Sequence, residues 1–342
     1  MQEKRHIAII AGGDSSEHEV SLRSAAGLKT FIDAERYDTT IVVMRGTDWR
    51  AVEMENGQCD MTHSYPIDKN DFSFTRGGVT HTFDFAYITI HGTPGENGVL
   101  QGYLDMIGMP YSCCGVLAAA LTFNKYACNH YLSYFGFHIA NSMILRAGQK
   151  WPNAQKIADT LGLPCFIKSN IGGSSFGCTK VKTVEDIYPA IERAFGEGDE
   201  VICEAFMQGT EVTCGVYKTK EKAVAFPITE VVTHNEFFDY NAKYKGQVDE
   251  ITPARIPDAL RDKIQAETLR LYDIIGAQGI IRVDWIIKGL PVTGDGLQDV
   301  KLMLLEVNTT PGMTPTSFIP QQIRAAGLDI KDVMADIIEN KF

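Results

Sequence analysis

Leu305-Glu306-Val307-Asn308-Thr309-Thr310-Pro311-Gly312-Met313-Thr314 begins as the end of an apolar strand, after Met303-Leu304, and closes in a polar turn. Glu306 and Asn308 are two apart, so on a strand they share a face. A carboxylate and a carboxamide there offer a hard, all-oxygen surface suited to Mg²⁺. Upstream, Ile281-Arg282-Val283-Asp284-Trp285-Ile286-Ile287 is a second apolar run with one acid, Asp284. Two neighbouring strands would bring Asp284, Glu306 and Asn308 to one cation. Mg²⁺ held by few protein groups completes its shell with water and nucleotide phosphates, which points to ATP chemistry. One acid in an apolar strand is more often a satisfied core group; three, followed by a Pro-Gly turn, shift the balance.

The whole chain bounds the answer. Its 342 residues suffice for two or three domains with real cores. Apolar content of 44% and charged content of 22% are ordinary for a soluble globular protein. A net charge of −11 without any basic block argues against nucleic acid and anionic membrane as partners. No apolar run approaches the length of a membrane span. Met1-Gln2-Glu3-Lys4-Arg5 runs straight into a strand with no secretory h-region. The cysteines are scattered, with no Cys-x-x-Cys and no zinc spacing, so reduced thiols in a cytoplasmic protein are expected.

The first third alternates strand and helix. Strands are predicted at His6–Ile10, Thr40–Met44 and Phe85–Ile90. Helices are predicted at Glu17–Ile32, with Ser15 or Ser16 as N-cap, and at Asn97–Ile107. This alternation implies a parallel sheet covered on both faces, with Gly12-Gly13 and His91-Gly92 beyond the strands' carboxyl ends, where ligands bind. From about Thr122 a compact α+β unit follows. It runs through a helix at Lys125–Phe135 and strands at Pro164–Lys168, Cys178–Val181 and Val201–Glu204. The last third adds the strands carrying Asp284 and Glu306 and two closing helices.

Gly172-Gly173-Ser174-Ser175-Phe176-Gly177 lies between two strands. Its glycines let backbone N–H groups turn toward an anion. It matches neither a Walker A loop nor a dinucleotide fingerprint, and a plain hairpin turn is an even alternative. Lys168, at the end of the preceding strand, favours phosphate binding. Lys125, at a helix start where the macrodipole disfavours lysine, is a second candidate, beside the reading as a solvated surface residue. In Glu204-Ala205-Phe206-Met207-Gln208-Gly209-Thr210-Glu211, Phe206 and Met207 could line an adenine slot. Glu204 could accept the exocyclic amine and Glu211 could bind ribose; alone, the stretch reads as a polar turn.

Together these elements resemble the ATP-grasp ligases, and within them the D-alanine–D-alanine ligases, from about His6 to Gly327. The resemblance rests on Gly12-Gly13-Asp14-Ser15-Ser16-Glu17-His18-Glu19-Val20-Ser21, His91-Gly92 with Gly95-Glu96-Asn97-Gly98, Gly173-Ser174-Ser175, Asn241-Ala242-Lys243-Tyr244, Arg282-Val283-Asp284, and the stretch from Glu306 to Thr314. It implies an α/β, three-domain ATP-grasp fold. Residues 1–121 would be a Rossmann-like N-terminal domain, and 122–209 and 210–342 two α+β subdomains gripping ATP. It further implies that Asp284, Glu306 and Asn308 hold two Mg²⁺ ions (or Mn²⁺). Lys125, Lys168 and Lys243 would contact phosphates. Glu204, Phe206, Met207 and Glu211 would bind the nucleoside. Arg282 and the backbone N–H of Gly312 would stabilise the oxyanion. Glu17, Ser21 and His91 would hold the first D-alanine and Ser317 the second, with Ser174 and Tyr244 completing a triad with Glu17. A homodimer is implied as well. Read alone, Glu17 is a helix-start acid favoured by the dipole and His91 a loop histidine.

Four positions depart from the family pattern: Asn124 stands where an acid is common, Cys113 and Cys114 replace a Gly- or Ser-containing pair, and Phe238 stands where a tyrosine often appears. None removes a proposed ligand or phosphate contact. Rival readings are a ligase with D-lactate or D-serine as acceptor, a catalytically dead nucleotide-binding regulator, and a carboxylate–amine ligase of another pathway. The regulator predicts a lost metal ligand or phosphate lysine. The other ligase would not be expected to retain Glu17, Ser21 and the Asn-Ala-Lys-Tyr segment.

Overall fold

A computed structural model describes residues 4–55, 57–173, 177–233, 248–290 and 299–342. The first sheet contains β1 (Arg5–Gly12), β2 (Tyr37–Arg45), β3 (Asp48–Glu55), β4 (Gln58–Asp68), β5 (Ser73–Arg76), β6 (Val79–His81) and β7 (Phe85–Ile88), in the order β6-β5-β4-β3-β2-β1-β7. In β1, Ile7 and Ile9 point into one apolar core and Ala8 and Ile10 into another. A strand buried on both faces reads as the continuous apolar run seen in the sequence. Each such buried isoleucine contributes roughly 1.5–3 kcal/mol. The helix α1 (His18–Phe31) covers one face and α2 (Val99–Met106) the other.

The sheet and the start of α1 differ from the expectation. Only β2, β1 and β7 are parallel; β3 to β6 extend the sheet as an antiparallel meander. Residues 48–81 carry no apolar run because β4 is half-exposed or exposed at almost every position. The N-cap of α1 is Glu17, not Ser15 or Ser16. Ser15 Oγ instead donates to the His91 carbonyl, at 2.6 Å, and so ties the two loops at the sheet's carboxyl end.

The second sheet contains β8 (Ser142–Arg146), β9 (Cys165–Ser169), β10 (Thr179–Val181) and β11 (Glu200–Ala205), in the antiparallel order β10-β9-β11-β8. Its core is closed by α5 (Ala154–Leu161) and α6 (Ile187–Phe195). The intervening α3 (Val116–Phe123) and α4 (Lys125–Tyr134) send Ala118, Cys128 and Leu132 into the core of the third sheet instead. That sheet contains β12 (Thr210–Lys218), β13 (Ala223–Ala225), β14 (Thr229–Thr233), β15 (Val248–Ile251), β16 (Ile281–Lys288) and β17 (Lys301–Asn308), backed by α7 (Asp258–Ile274).

The closing helices α8 (Phe318–Ala325) and α9 (Ile330–Glu339) return to the first sheet. Ile319, Ile323, Val333 and Ile338 share a core with Ile7, Ile9 and Leu28. Arg5 and the Tyr37 hydroxyl both bond Glu339. The chain's end is thereby fixed to its beginning, and the turn after β17 lies on α1. Gly27 of α1 makes that approach possible: a Cβ there would collide with the Met313 carbonyl oxygen.

Candidate active site

Asp284 stands directly opposite Glu306 and Arg282 opposite Asn308 across the β16–β17 pair, with a bulge just after Asp284. The three proposed cation ligands are therefore neighbours. Arg282 binds Asp284 through two bonds, Nε to Oδ1 at 2.9 Å and Nη2 to Oδ2 at 2.7 Å, and lies 3.7 Å from Glu306 Oε1. The Thr213 hydroxyl donates to Asp284 Oδ1 at 2.5 Å. Burial alone would lower the Arg282 guanidinium, but Asp284, Glu306 and Glu96 outweigh it and hold the charge in place. The donor set fits Mg²⁺: oxygen only, few in number and open to a cavity on the Glu306 side. Among the described residues no group of three or more His, Cys, Asp or Glu side chains could hold a metal ion. Oxygens of a bound phosphate would have to complete the shell.

Two cavities meet at this cluster. One, of about 700 Å³, lies between the second and third sheets and contains Phe206, Met207, Glu204, Glu211 and Lys168. Phe166 and Ile286 add apolar wall, and Lys180 sits 4.3 Å over the Phe206 ring. The other, of about 790 Å³, lies under α1 and the turn after β17 and contains Glu17, His91, Gly312 and Ser317. Glu17, Lys125, Gly173, Arg282 and Glu306 line both. Apolar walls with a polar end suit a nucleoside, and the shared boundary is where charge is concentrated.

The lysines are held rather than free. Lys168 Nζ pairs with Glu204 at 2.6 Å, both largely buried. Burial opposes the Lys168 charge, but Glu204 raises it overall and keeps the ammonium. Two residues read separately, as a phosphate and an adenine contact, thus neutralise each other, and Asn129 Nδ2 donates to the other Glu204 oxygen at 3.3 Å. Lys125 Nζ donates to the Gly172 carbonyl at 2.5 Å, which places its charge beside the glycine loop. Asn124 caps α4 by accepting from Ala127 N at 2.9 Å, so its departure from an acid leaves the helix start intact. Gly173 packs on Glu17, where a Cβ would collide with the carboxylate. Ser174, Lys243, Tyr244 and Phe238 lie outside the described residues.

In the cavity under α1, Glu17 is 7% exposed and at the N-terminus of α1, where the dipole favours an acid. Ser317 Oγ accepts from Thr314 N at 3.1 Å and lies within hydrogen-bond distance of the Thr314 hydroxyl, at 2.7 Å. Ser21 is not brought into the cavity. It is fully buried, accepts from Gly12 N at 2.9 Å and donates to the Thr89 carbonyl at 2.7 Å. It therefore joins β1 to the end of β7 and is corrected from a substrate contact to a support.

One residue received no role from the sequence: Glu96. It lines the cavity under α1, accepts from Gly92 N at 2.7 Å, and has its carboxyl pushed up to about 7 by burial and then by Glu17. In the sequence it stands only as a member of the family motif Gly95-Glu96-Asn97-Gly98. Only the approach of β17, far away in sequence, reveals it.

A family model described as D-ala D-ala ligase N-terminus matches residues 6–114, and one described as D-ala D-ala ligase C-terminus matches 132–339. A D-alanine--D-alanine ligase of Bacteroides fragilis is 62% identical over 339 residues, 99% of this chain and 100% of that protein. Among solved structures, the VanG D-Ala:D-Ser ligase of Enterococcus faecalis superposes with a TM-score of 0.84 at 28% identity, covering 99% of this chain and 100% of that one. D-alanyl-alanine synthetase A of Vibrio cholerae superposes at 0.82 with 27% identity, covering 100% and 99%.

Proposed function

The chain belongs to the D-alanine–D-alanine ligase family, and we propose from that premise that it joins two D-alanine molecules at the expense of ATP for peptidoglycan synthesis. The observation that supports this most is the meeting of the two cavities at Lys125, Arg282 and Glu306. A γ-phosphoryl in the first cavity and a carboxylate in the second would face each other there.

In this reading the γ-phosphoryl passes to the carboxylate of the first D-alanine, giving an acyl phosphate and ADP. The neutral amine of the second attacks the acyl carbon, the carbon–oxygen bond to phosphate breaks, and D-alanyl-D-alanine and phosphate leave. Phe206, Met207, Glu204 and Glu211 would seat the nucleoside. Lys125 and Lys168 would neutralise its phosphates, Lys168 leaving Glu204 for the nucleotide. Glu17 would anchor the first ammonium beside His91, and Ser317 the second carboxylate. Arg282 and Gly312 N would receive the charge of the tetrahedral oxyanion. Mg²⁺, or Mn²⁺, at Asp284, Glu306 and Asn308 would supply charge neutralisation along the phosphates. The roles expected of Lys243, Tyr244 and Ser174 in closing the site and receiving the amine proton belong to the same reading.

The exposed Val99, Met106 and Leu117 of α2 and α3 suit the homodimer contact implied by the family. A cytoplasmic location is proposed with it; no helix among the described residues is long and apolar enough to cross a membrane.

The test is product identification by mass with D-alanine alone and with D-serine or D-lactate added, across a pH series. The dipeptide from D-alanine alone supports the reading. Mixed product only, with none from D-alanine alone, would move the assignment to another acceptor.

A further inference from the structure

A carboxamide can present either of its ends to a neighbour, and only an oxygen can serve a cation. The amide of Asn308 is fixed by what surrounds it. With the amide ends assigned from these neighbours, its nitrogen donates to Glu96 Oε1 at 3.0 Å and its oxygen accepts from Arg282 Nη2 at 3.3 Å. A carboxylate behind and a guanidinium ahead permit this orientation alone. The second Glu96 oxygen accepts from Gly92 N at 2.7 Å. Gly92 N and the Asn308 amide both donate to Glu96, and the Thr310 hydroxyl is a further side-chain partner, so two oxygens face three donor groups.

The connection is also long-range. Glu96 lies between β7 and α2 in the first sheet's layer, whereas Asn308 ends β17 of the third sheet. Thr310, two residues beyond Asn308, reaches the same segment by donating to the Ile90 carbonyl at 3.4 Å. The site's floor and its cation strand are therefore joined at one side chain.

We propose that Glu96 is a positioning residue that turns the Asn308 carboxamide so that its oxygen faces Asp284, Glu306 and the cation. It acts through Asn308 and touches no reacting atom. The proposal rests on the cation reading of Asp284, Glu306 and Asn308 given above.

The test exchanges the polarity of the pair. Glu96→Gln leaves one acceptor oxygen for the donors of Gly92, Asn308 and Thr310, so a donor loses its partner. Asn308→Asp alone sets two carboxylates against each other. Together, E96Q/N308D restore the match: the new glutamine keeps its oxygen on Gly92 N and donates its nitrogen to the new aspartate, with net charge unchanged. The readout is Mn²⁺ binding in the presence of ADP, followed by electron paramagnetic resonance of free Mn²⁺, with urea unfolding as the folding control. E96Q is expected to weaken Mn²⁺ about 10–100-fold, as loss of a ligand's hydrogen-bond partner does. The double variant is expected to recover most of that loss. Wild-type affinity in folded E96Q, or a double variant no better than E96Q, would overturn the proposal. Should E96Q fold poorly, Glu96→Asp, the same carboxylate one methylene short of Asn308, carries the same expectation. Wild-type protein that binds no Mn²⁺ with ADP would instead overturn the cation reading itself, and the proposal with it.

Discussion

Gly27→Ala sets two effects of known sign against each other. Within a helix, alanine is favoured over glycine by about 1 kcal/mol. In α1, however, the new Cβ would collide with the Met313 carbonyl oxygen and lie 3.5 Å from Thr314 Cα. These are backbone atoms, which cannot rotate away as a flexible side chain would. Overpacking costs roughly 1–3 kcal/mol, and a rigid obstacle belongs in the upper part of that range. The net is a loss of about 1–2 kcal/mol. Gly102→Ala in α2 is the control, because its Cβ would meet only Val116 Cγ2 at an ordinary 3.7 Å. It should gain up to about 1 kcal/mol. Relief of the Gly27 collision must shift residues 312–314, which border the cavity proposed for the amino-acid substrates. A misplacement near 1 Å costs on the order of 10²-fold in rate. We expect kcat to fall about 10–100-fold, with KM for ATP little changed because the nucleotide cavity is lined elsewhere. Urea midpoints and initial rates of ADP release measure both effects. Gly27→Ala as stable as Gly102→Ala and with wild-type kcat would refute the reasoning.

Three further outcomes are expected. Lys168→Met leaves the Glu204 carboxylate buried without its cation, so stability should fall by about 3 kcal/mol and KM for ATP should rise; unchanged urea midpoint and KM would contradict the pairing. The Glu96 carboxyl, pushed up to about 7 by burial and Glu17, binds a proton in the folded state that the unfolded chain has released. Stability of the metal-free protein should therefore fall as pH rises from about 4.5 to 7, by about 1.4 kcal/mol per unit at most and less with solvent screening. The urea-midpoint difference between wild type and Glu96→Gln tracks that fall, and a difference that is flat or of opposite slope would contradict it. Chelation with EDTA should stop phosphate release and added Mg²⁺ or Mn²⁺ should restore it; turnover undiminished in EDTA would remove the cation from the account.

The sequence carried the parts of the fold whose signal is local. Ile7–Ile10 announced a doubly buried strand, and the pairing of the strands bearing Asp284 and Glu306 followed from two apolar runs with matched acids. The antiparallel meander from β3 to β6 was hidden because its strands face solvent and lack a clean apolar alternation. The candidate site was legible where a residue's type limits its use, as with Lys168 and Glu306, while Arg282 came from the family resemblance. It was not legible where partners are set by tertiary contact. Lys168 with Glu204, Ser21 with Thr89, and Glu96 with Asn308 are pairings that no spacing predicts. Ser21 came forward as a substrate contact only through the family resemblance; its burial and its bonds to Gly12 and Thr89 are what place it as a support.

The central claim is that ATP activates the carboxylate of D-alanine. D-alanine labelled with ¹⁸O in its carboxylate tests this most directly, with the released phosphate read by mass. Transfer through an acyl phosphate leaves one labelled oxygen in each phosphate formed with dipeptide, because the carbon–oxygen bond breaks when the amine attacks. Dipeptide formed alongside phosphate that carries no label would contradict the account.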